Sequence, residues 1–230
     1  MKTIGIIGGM SWESSAQYYA LINRDVRRRL GARHSAKILM HSLDFGEIEQ
    51  LQHSGDWDAL GVMMANSACA LEAGGADCIV LATNTMHKLA DRIEAASGLP
   101  FLHIADPAAA AIQRRGLTRV ALLGTVFTME QEFYRGRLAD RHGLEVVLPG
   151  DRDRAEVHRV IYEELVAGEV LDSSRSAYRG IIERLVQSDA QGIILGCTEI
   201  SLLVGQDDSA VPFFDTTALH ARAAADFALG

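Results

Sequence analysis

One spacing occurs twice in the chain, and it limits the folds available more than any other feature. Ile6-Ile7-Gly8-Gly9-Met10-Ser11 is echoed by Leu122-Leu123-Gly124-Thr125, and Ile79-Val80-Leu81-Ala82-Thr83-Asn84-Thr85 by Ile193-Ile194-Leu195-Gly196-Cys197-Thr198-Glu199. Gly8 stands 75 positions before Thr83, and Gly124 stands 73 positions before Cys197. Apolar runs that stop at small residues and return at such a period predict two α/β halves of one build. Thr83 then corresponds to Cys197. In an open parallel sheet the residues just past the strand carboxyl ends face the ligand crevice. Halves related by a pseudo-twofold are expected to turn these two tips toward each other across a cleft, a geometry for attacking a small molecule from both faces.

Short apolar runs alternate with segments of helical period, the pattern of parallel sheets covered by helices. Strands are expected near Thr3–Ile7, Lys37–His41, Cys78–Ala82, Phe101–Ile104, Arg119–Leu123, Glu145–Leu148, Ile193–Leu195 and Pro212–Phe214. Helices are expected over Ser14–Leu30, Asp56–Ala73, Thr85–Ala96, Pro107–Arg115, Met129–His142, Arg154–Ala167, Ser173–Ser188 and Thr216–Phe227. The echo restarts after Arg114–Thr118, so the expected division gives 1–115 to the first half and 116–215 to the second, with the segment 216–230 packing back on the first.

Composition narrows the function classes. At 48% apolar and 23% charged, 230 residues suit a soluble globular protein with no membrane span. Thirty acids against 22 bases give a formal charge of −8, which opposes a nucleic acid backbone, and the arginine run at Arg24–Arg29 fits a solvated helix face. Nucleic acid and membrane are therefore not expected partners. The first residues read as a strand rather than a secretion signal. Three cysteines, an odd number, argue against a disulfide framework and make a reducing, cytoplasmic setting the expectation.

The candidate chemistry lies at the strand tips. Gly5-Ile6-Ile7-Gly8-Gly9-Met10 lacks the glycine order of a dinucleotide site. The same turn offers backbone N–H groups at a helix start, with Ser11 and Ser14 as caps, and so suits a carboxylate or phosphate. Eight histidines, at 34, 41, 53, 87, 103, 142, 158 and 220, lack spacings that converge on a metal, so no metal is expected. His87 reads as a helix-start histidine with local hydrogen bonds. Cys69 and Cys78 read as core residues. Cys197 differs, since it ends an apolar strand after Gly196 and opens a helix, where the local field is expected to lower a thiol pKa and neighbouring N–H groups to hold an anion. Thr83-Asn84-Thr85 offers hydroxyls, an amide and N–H groups at the matching tip, read both as a capping turn and as a carboxylate clamp.

The whole chain resembles the aspartate/glutamate racemases, cofactor-independent racemases of acidic amino acids. The resemblance runs through Gly8-Gly9-Met10-Ser11-Trp12-Glu13-Ser14, Thr83-Asn84-Thr85-Met86-His87-Lys88 and Gly196-Cys197-Thr198-Glu199. It implies two flavodoxin-like halves with the active site in the cleft between them, a homodimer, no cofactor, and one cysteine per half working on opposite faces of the α-carbon. Thr83 stands where the first cysteine is expected. A hydroxyl is a far weaker acid than a thiol, so symmetric two-thiol chemistry is replaced here by Cys197 as thiolate base and Thr83 as donor or relay.

The resemblance further implies L-aspartate or L-glutamate as substrate. The enantiomers have equal free energy, so forward and reverse kcat/KM must match, and one-handed behaviour means proton exchange on the L side with slow inversion. Enolate-like charge needs donors arranged in advance, and the candidates are Met10, Ser11, Asn84, Thr85 and Thr198, with Thr125 and Thr128 at the mirror turn. Gln52 resembles a family position on the distal carboxylate. Glu199 reads either as a holder of the substrate amine or as a first-turn acid favoured by the helix dipole. A single-cysteine decarboxylase of malonate-type acids and a catalytically silent amino-acid binder are the competing expectations.

Overall fold

The computed structural model describes residues 1–230. Eight strands form: β1 (Thr3–Gly8), β2 (Lys37–Ser42), β3 (Cys78–Leu81), β4 (Phe101–Leu102), β5 (Arg119–Gly124), β6 (Glu145–Val147), β7 (Ile193–Gly196) and β8 (Phe213–Asp215). They make two four-stranded sheets, ordered β2-β1-β3-β4 and β6-β5-β7-β8, with every pairing parallel. Counted from its own first strand, each sheet has the order 2-1-3-4, the flavodoxin-like arrangement. The duplication is therefore one of topology as well as of spacing. All eight expected strands are present.

The helices are α1 (Trp12–Leu30), α2 (Phe45–Ser54), α3 (Trp57–Ala73), α4 (Ala90–Ala96), α5 (Ala105–Gln113), α6 (Val126–Glu130), α7 (Glu132–His142), α8 (Asp151–Glu163), α9 (Asp172–Gln187), α10 (Ile200–Leu203) and α11 (Thr216–Leu229). None is long and apolar enough to cross a membrane. Helix α2 is an addition to the sequence expectations. Asp44 caps its start by accepting from the Gly46 N–H at 3.1 Å, and Gly55 ends it in the left-handed region at φ 75°. The expected helix over 85–96 opens instead as a 3-10 turn, Thr85–Leu89. The one expected over 129–142 breaks at Gln131, whose extended backbone separates α6 from α7.

The chain divides into two compact units, Met1–Ile104 with His220–Gly230, and Ala105–Leu219. Residues 105–115, given to the first half by the sequence reading, group with the second. The reason is a half-buried polar anchor: Asp106 on α5 accepts from Arg137 Nε and Nη2 at 2.8 and 2.7 Å and lies 2.9 Å from His142 Nε2, both on α7. Residues 216–219 of α11 likewise group with the second unit, while the rest of that helix groups with the first.

Side-chain alternation explains why the first sheet is covered on both faces. Ile4, Ile6, Cys78, Val80 and Ala82 point into a core with Tyr18, Ile22 and Val26 of α1 and Ala221, Ala224, Ala225 and Ala228 of α11. Ile7, Ile79 and Leu81 point the other way, onto Ile48 of α2, Leu60, Met64 and Ala68 of α3, and Ile93 of α4. Each such aliphatic side chain contributes about 1.5–3 kcal/mol by leaving water. The Tyr18 hydroxyl donates to His220 Nδ1 at 2.9 Å, and His220 Nε2 donates to the Leu102 carbonyl at 2.7 Å, so α11 is docked by polar as well as apolar contacts.

Candidate active site

Sheet register fixes the correspondence between the two strand tips. Ile7 of β1 pairs with Leu81 of β3, and Leu123 of β5 pairs with Leu195 of β7; each of the first partners is followed by glycine, Gly8 or Gly124. Thr83 and Cys197 each lie two residues past the paired leucine, so they occupy equivalent positions in their units. Thr85 is by the same count the counterpart of Glu199.

In the first unit, three chain segments meet at the β3 tip. Gly9 turns the chain after β1 with φ +90°, and a Cβ there would lie 2.0 Å from the Leu43 carbonyl oxygen, so only glycine fits. The Gly9 N–H donates to Ser15 Oγ at 2.7 Å, and Ser11 caps α1 by accepting from the Ser14 N–H at 3.3 Å. The expected anion cradle thus uses part of its backbone donors on itself. Ser14 Oγ donates to the Ala82 carbonyl at 3.0 Å, tying this turn to the β3 tip. Gln52, buried in α2, donates through Nε2 to Met86 Sδ at 3.2 Å and so reaches the same place. Met10, Ser11, Gln52, Asn84 and Thr85 are all buried, and Thr83 is half-buried. The six first-half candidates therefore form one neighbourhood.

The second unit gathers the remaining candidates. Thr125 caps α6 by accepting from the Thr128 N–H at 3.3 Å, and the two hydroxyls lie 3.2 Å apart. Gly124 and Gly196 let β5 and β7 approach closely: a Cβ on Gly196 would lie 3.0 Å from the Leu123 carbonyl oxygen and 3.4 Å from Thr128 Cγ2. That brings Thr125 and Thr128 beside the strand that delivers Cys197. Thr198 is buried, while Cys197 and Glu199 are half-buried. Cys197 Sγ donates to Glu199 Oε2 at 3.0 Å.

This contact reverses one sequence expectation. Burial, the Glu199 charge and the hydrogen bond to it together push the Cys197 thiol well above its ordinary value, and the Glu199 and Thr198 N–H groups oppose them only in part. The resting sulfur is thus a protonated thiol that already points its proton at a carboxylate. Cys78 is fully buried with its thiol raised to about 12 by burial first, as expected of a core cysteine. Cys69 is corrected: it is exposed, and its Sγ donates to the Ala96 carbonyl at 3.2 Å.

Sequence reasoning passed over two contributors. Ser14 entered only as a cap, whereas its hydroxyl bridges to β3. His87 entered as a local helix-start residue, whereas its ring joins the Thr83 carbonyl, 2.7 Å from Nδ1, to the Ile104 N–H, 3.1 Å from Nε2. The signal for the first of these bonds is the four-residue spacing from Thr83 to His87; the second needs the fold.

Comparison with known proteins identifies the family. The family described as Asp/Glu/Hydantoin racemase matches residues 7–224. A Yersinia pestis crystal structure is 56% identical over all of both chains with a TM-score of 0.95. The crystal structure of PH1733, an aspartate racemase homologue from Pyrococcus horikoshii OT3, is 35% identical, again over all of both chains, with a TM-score of 0.87. RacX of Bacillus subtilis strain 168, a broad specificity amino-acid racemase, is 25% identical over 73% of this chain and 71% of its own. The chain belongs to the Asp/Glu/Hydantoin racemase family.

Proposed function

We propose that this protein racemises acidic amino acids, L-aspartate or L-glutamate, without a cofactor, using Cys197 as the base on one face of the α-carbon and Thr83 as donor or relay on the other. The hydrogen bond from Cys197 to Glu199 carries this reading. Glu199 takes the thiol proton when substrate arrives, and the thiolate then removes the α-proton, regenerating S–H and leaving an enolate-like carbanion. That carbanion takes a proton either back from sulfur, which returns the L enantiomer, or from the Thr83 hydroxyl, which gives the D enantiomer. After inversion the Thr83 oxygen recovers a proton from solvent and Glu199 releases its own to solvent; after return from sulfur Glu199 hands its proton back to the thiolate, so atoms and charge balance on both branches.

Developing negative charge is met in this scheme by donors from Met10, Ser11, Asn84, Thr85, Thr125, Thr128 and Thr198, with Gln52 on the distal carboxylate. Because a hydroxyl gives up its proton far less readily than a thiol, return from sulfur outruns inversion. The sulfur trades its new hydrogen with the Glu199 carboxyl or with solvent before giving it back, so exchange in the L enantiomer exceeds the appearance of D product. A homodimer working in the cytoplasm belongs to the same proposal, as expected from the family resemblance and the cysteine usage.

The test is NMR in D₂O on both enantiomers of aspartate and glutamate. Deuterium is expected at Cα of the L substrates, and Cys197→Ala is expected to lower its rate by about 10³-fold. Wash-in that persists in Cys197→Ala refutes the assignment of the base. Release of carbon dioxide from a disubstituted malonate without wash-in favours the decarboxylase, and binding without either reaction favours a silent amino-acid binder. Including a neutral amino acid in the panel separates narrow specificity from the broad specificity named for RacX.

A further inference from the structure

We propose that His87 is a positioning residue for Thr83, a clamp that fixes the β3 tip so that the threonine hydroxyl stays aimed at the substrate carbon; the inference rests on the role proposed above for Thr83. The ring is buried, 2% exposed, on the 3-10 turn that follows Thr83. A carbonyl oxygen only accepts, so the 2.7 Å contact with Thr83 O requires the hydrogen on Nδ1. A backbone N–H only donates, so the 3.1 Å contact with the Ile104 N–H requires a lone pair on Nε2. Both nitrogens are used, and the two bonds agree on one neutral tautomer.

The ring cannot swing away, because Phe101, His103 and His220 stand around it with ring centroids 5.4, 4.5 and 5.9 Å distant. Its two bonds run between the tip residue and Ile104, the last residue of the first unit before the chain passes to the second. Holding the Thr83 carbonyl fixes the peptide plane, and the plane sets the direction of the Thr83 side chain. A displacement of about 1 Å at a reacting group costs on the order of 10²-fold in rate, so a clamp at this point acts on kcat for inversion.

Two measurements test the clamp. In ¹⁵N-labelled protein the His87 ring is expected as the Nδ1–H tautomer by two-bond ring correlations, and an Nε2–H tautomer overturns the proposal whether or not any variant folds. The second reads the ratio of inversion to Cα wash-in for L-aspartate in D₂O. Asparagine keeps a donor where Nδ1 stands, glutamine keeps an acceptor where Nε2 stands, and leucine keeps neither. The ratio is expected to fall about tenfold or more in His87→Gln and His87→Leu and to return to within about twofold of wild type in His87→Asn, with the change in kcat rather than KM. A ratio unchanged in all three, or an asparagine variant no better than glutamine, refutes the clamp alone. Wild-type protein without any wash-in refutes the racemase reading, and the clamp with it.

Discussion

The tips of β3 and β7 share a register and differ in their surroundings. Past Leu81 the chain places a hydroxyl at Thr83 with its carbonyl held by the His87 imidazole; past Leu195 it places a thiol that donates to Glu199. At the position where the second unit carries the Glu199 carboxylate, the first carries Thr85. The turns feeding the two sites diverge in the same way. Gly9 needs φ +90° under the Leu43 carbonyl, whereas its counterpart Thr125 sits at φ −64° and caps a helix. Duplicated topology thus fixes where each tip residue stands, and the side chains beside it set the hydrogen bonds it makes. One scaffold carries two tips of different chemistry.

Exchanging features between the tips is the direct way to break this contrast. The largest effect is expected at the turn that cannot be exchanged: Gly9→Ala is expected to destabilise the protein by about 3 kcal/mol, read by denaturant unfolding, because strain at positive φ adds to a backbone clash. A fully stable variant would show that the turn is freer than its geometry indicates. Thr83→Cys makes the tips alike and is expected to raise inversion of L-aspartate about 30-fold over wild type, measured by the appearance of D-aspartate. No gain with substrate still bound separates position 83 from the chemistry.

Glu199→Gln removes the proton acceptor and one of the causes that raise the Cys197 thiol. Its maximal exchange rate is expected to fall about tenfold. The sign of the pH effect follows from the direction of the shift. A thiol freed of a neighbouring negative charge ionises at lower pH, so the limb along which exchange rises with pH moves to lower pH. A limb that stays in place or moves up denies that Glu199 acts on the sulfur. The smallest effect is expected at Thr125→Ala, where losing the cap of α6 costs about 1 kcal/mol of stability in thermal unfolding.

Much of this was legible in the sequence because it depends on local pattern. The strands announce themselves as apolar runs ended by small residues, and the spacing from Gly8 to Thr83 and from Gly124 to Cys197 carries the tip equivalence that the register reproduces. Helix α2 was missed because its buried face includes a polar residue, Gln52, although Asp44 and Gly55 frame it as cap and stop. The unit boundary moved to Ile104 because α5 is held by Arg137 and His142, partners distant in sequence. The direction of the Cys197 shift was read the wrong way for a related reason. Sequence shows the helix-start amides beside the sulfur, but burial and the rotamer that brings Glu199 within 3.0 Å exist only in the folded chain.

The docking of α11 has a consequence for how this protein is made. The core over β1 and β3 is closed by Ala221, Ala224, Ala225 and Ala228, and the Tyr18 hydroxyl finds its acceptor on His220. Domains generally fold in order as they leave the ribosome, yet the unit whose strands come earlier in the chain lacks one wall of its interior until α11 has emerged. A nascent chain therefore holds Ile4, Ile6 and Tyr18 uncovered while the second unit, whose strands are all complete by Asp215, is already able to assemble.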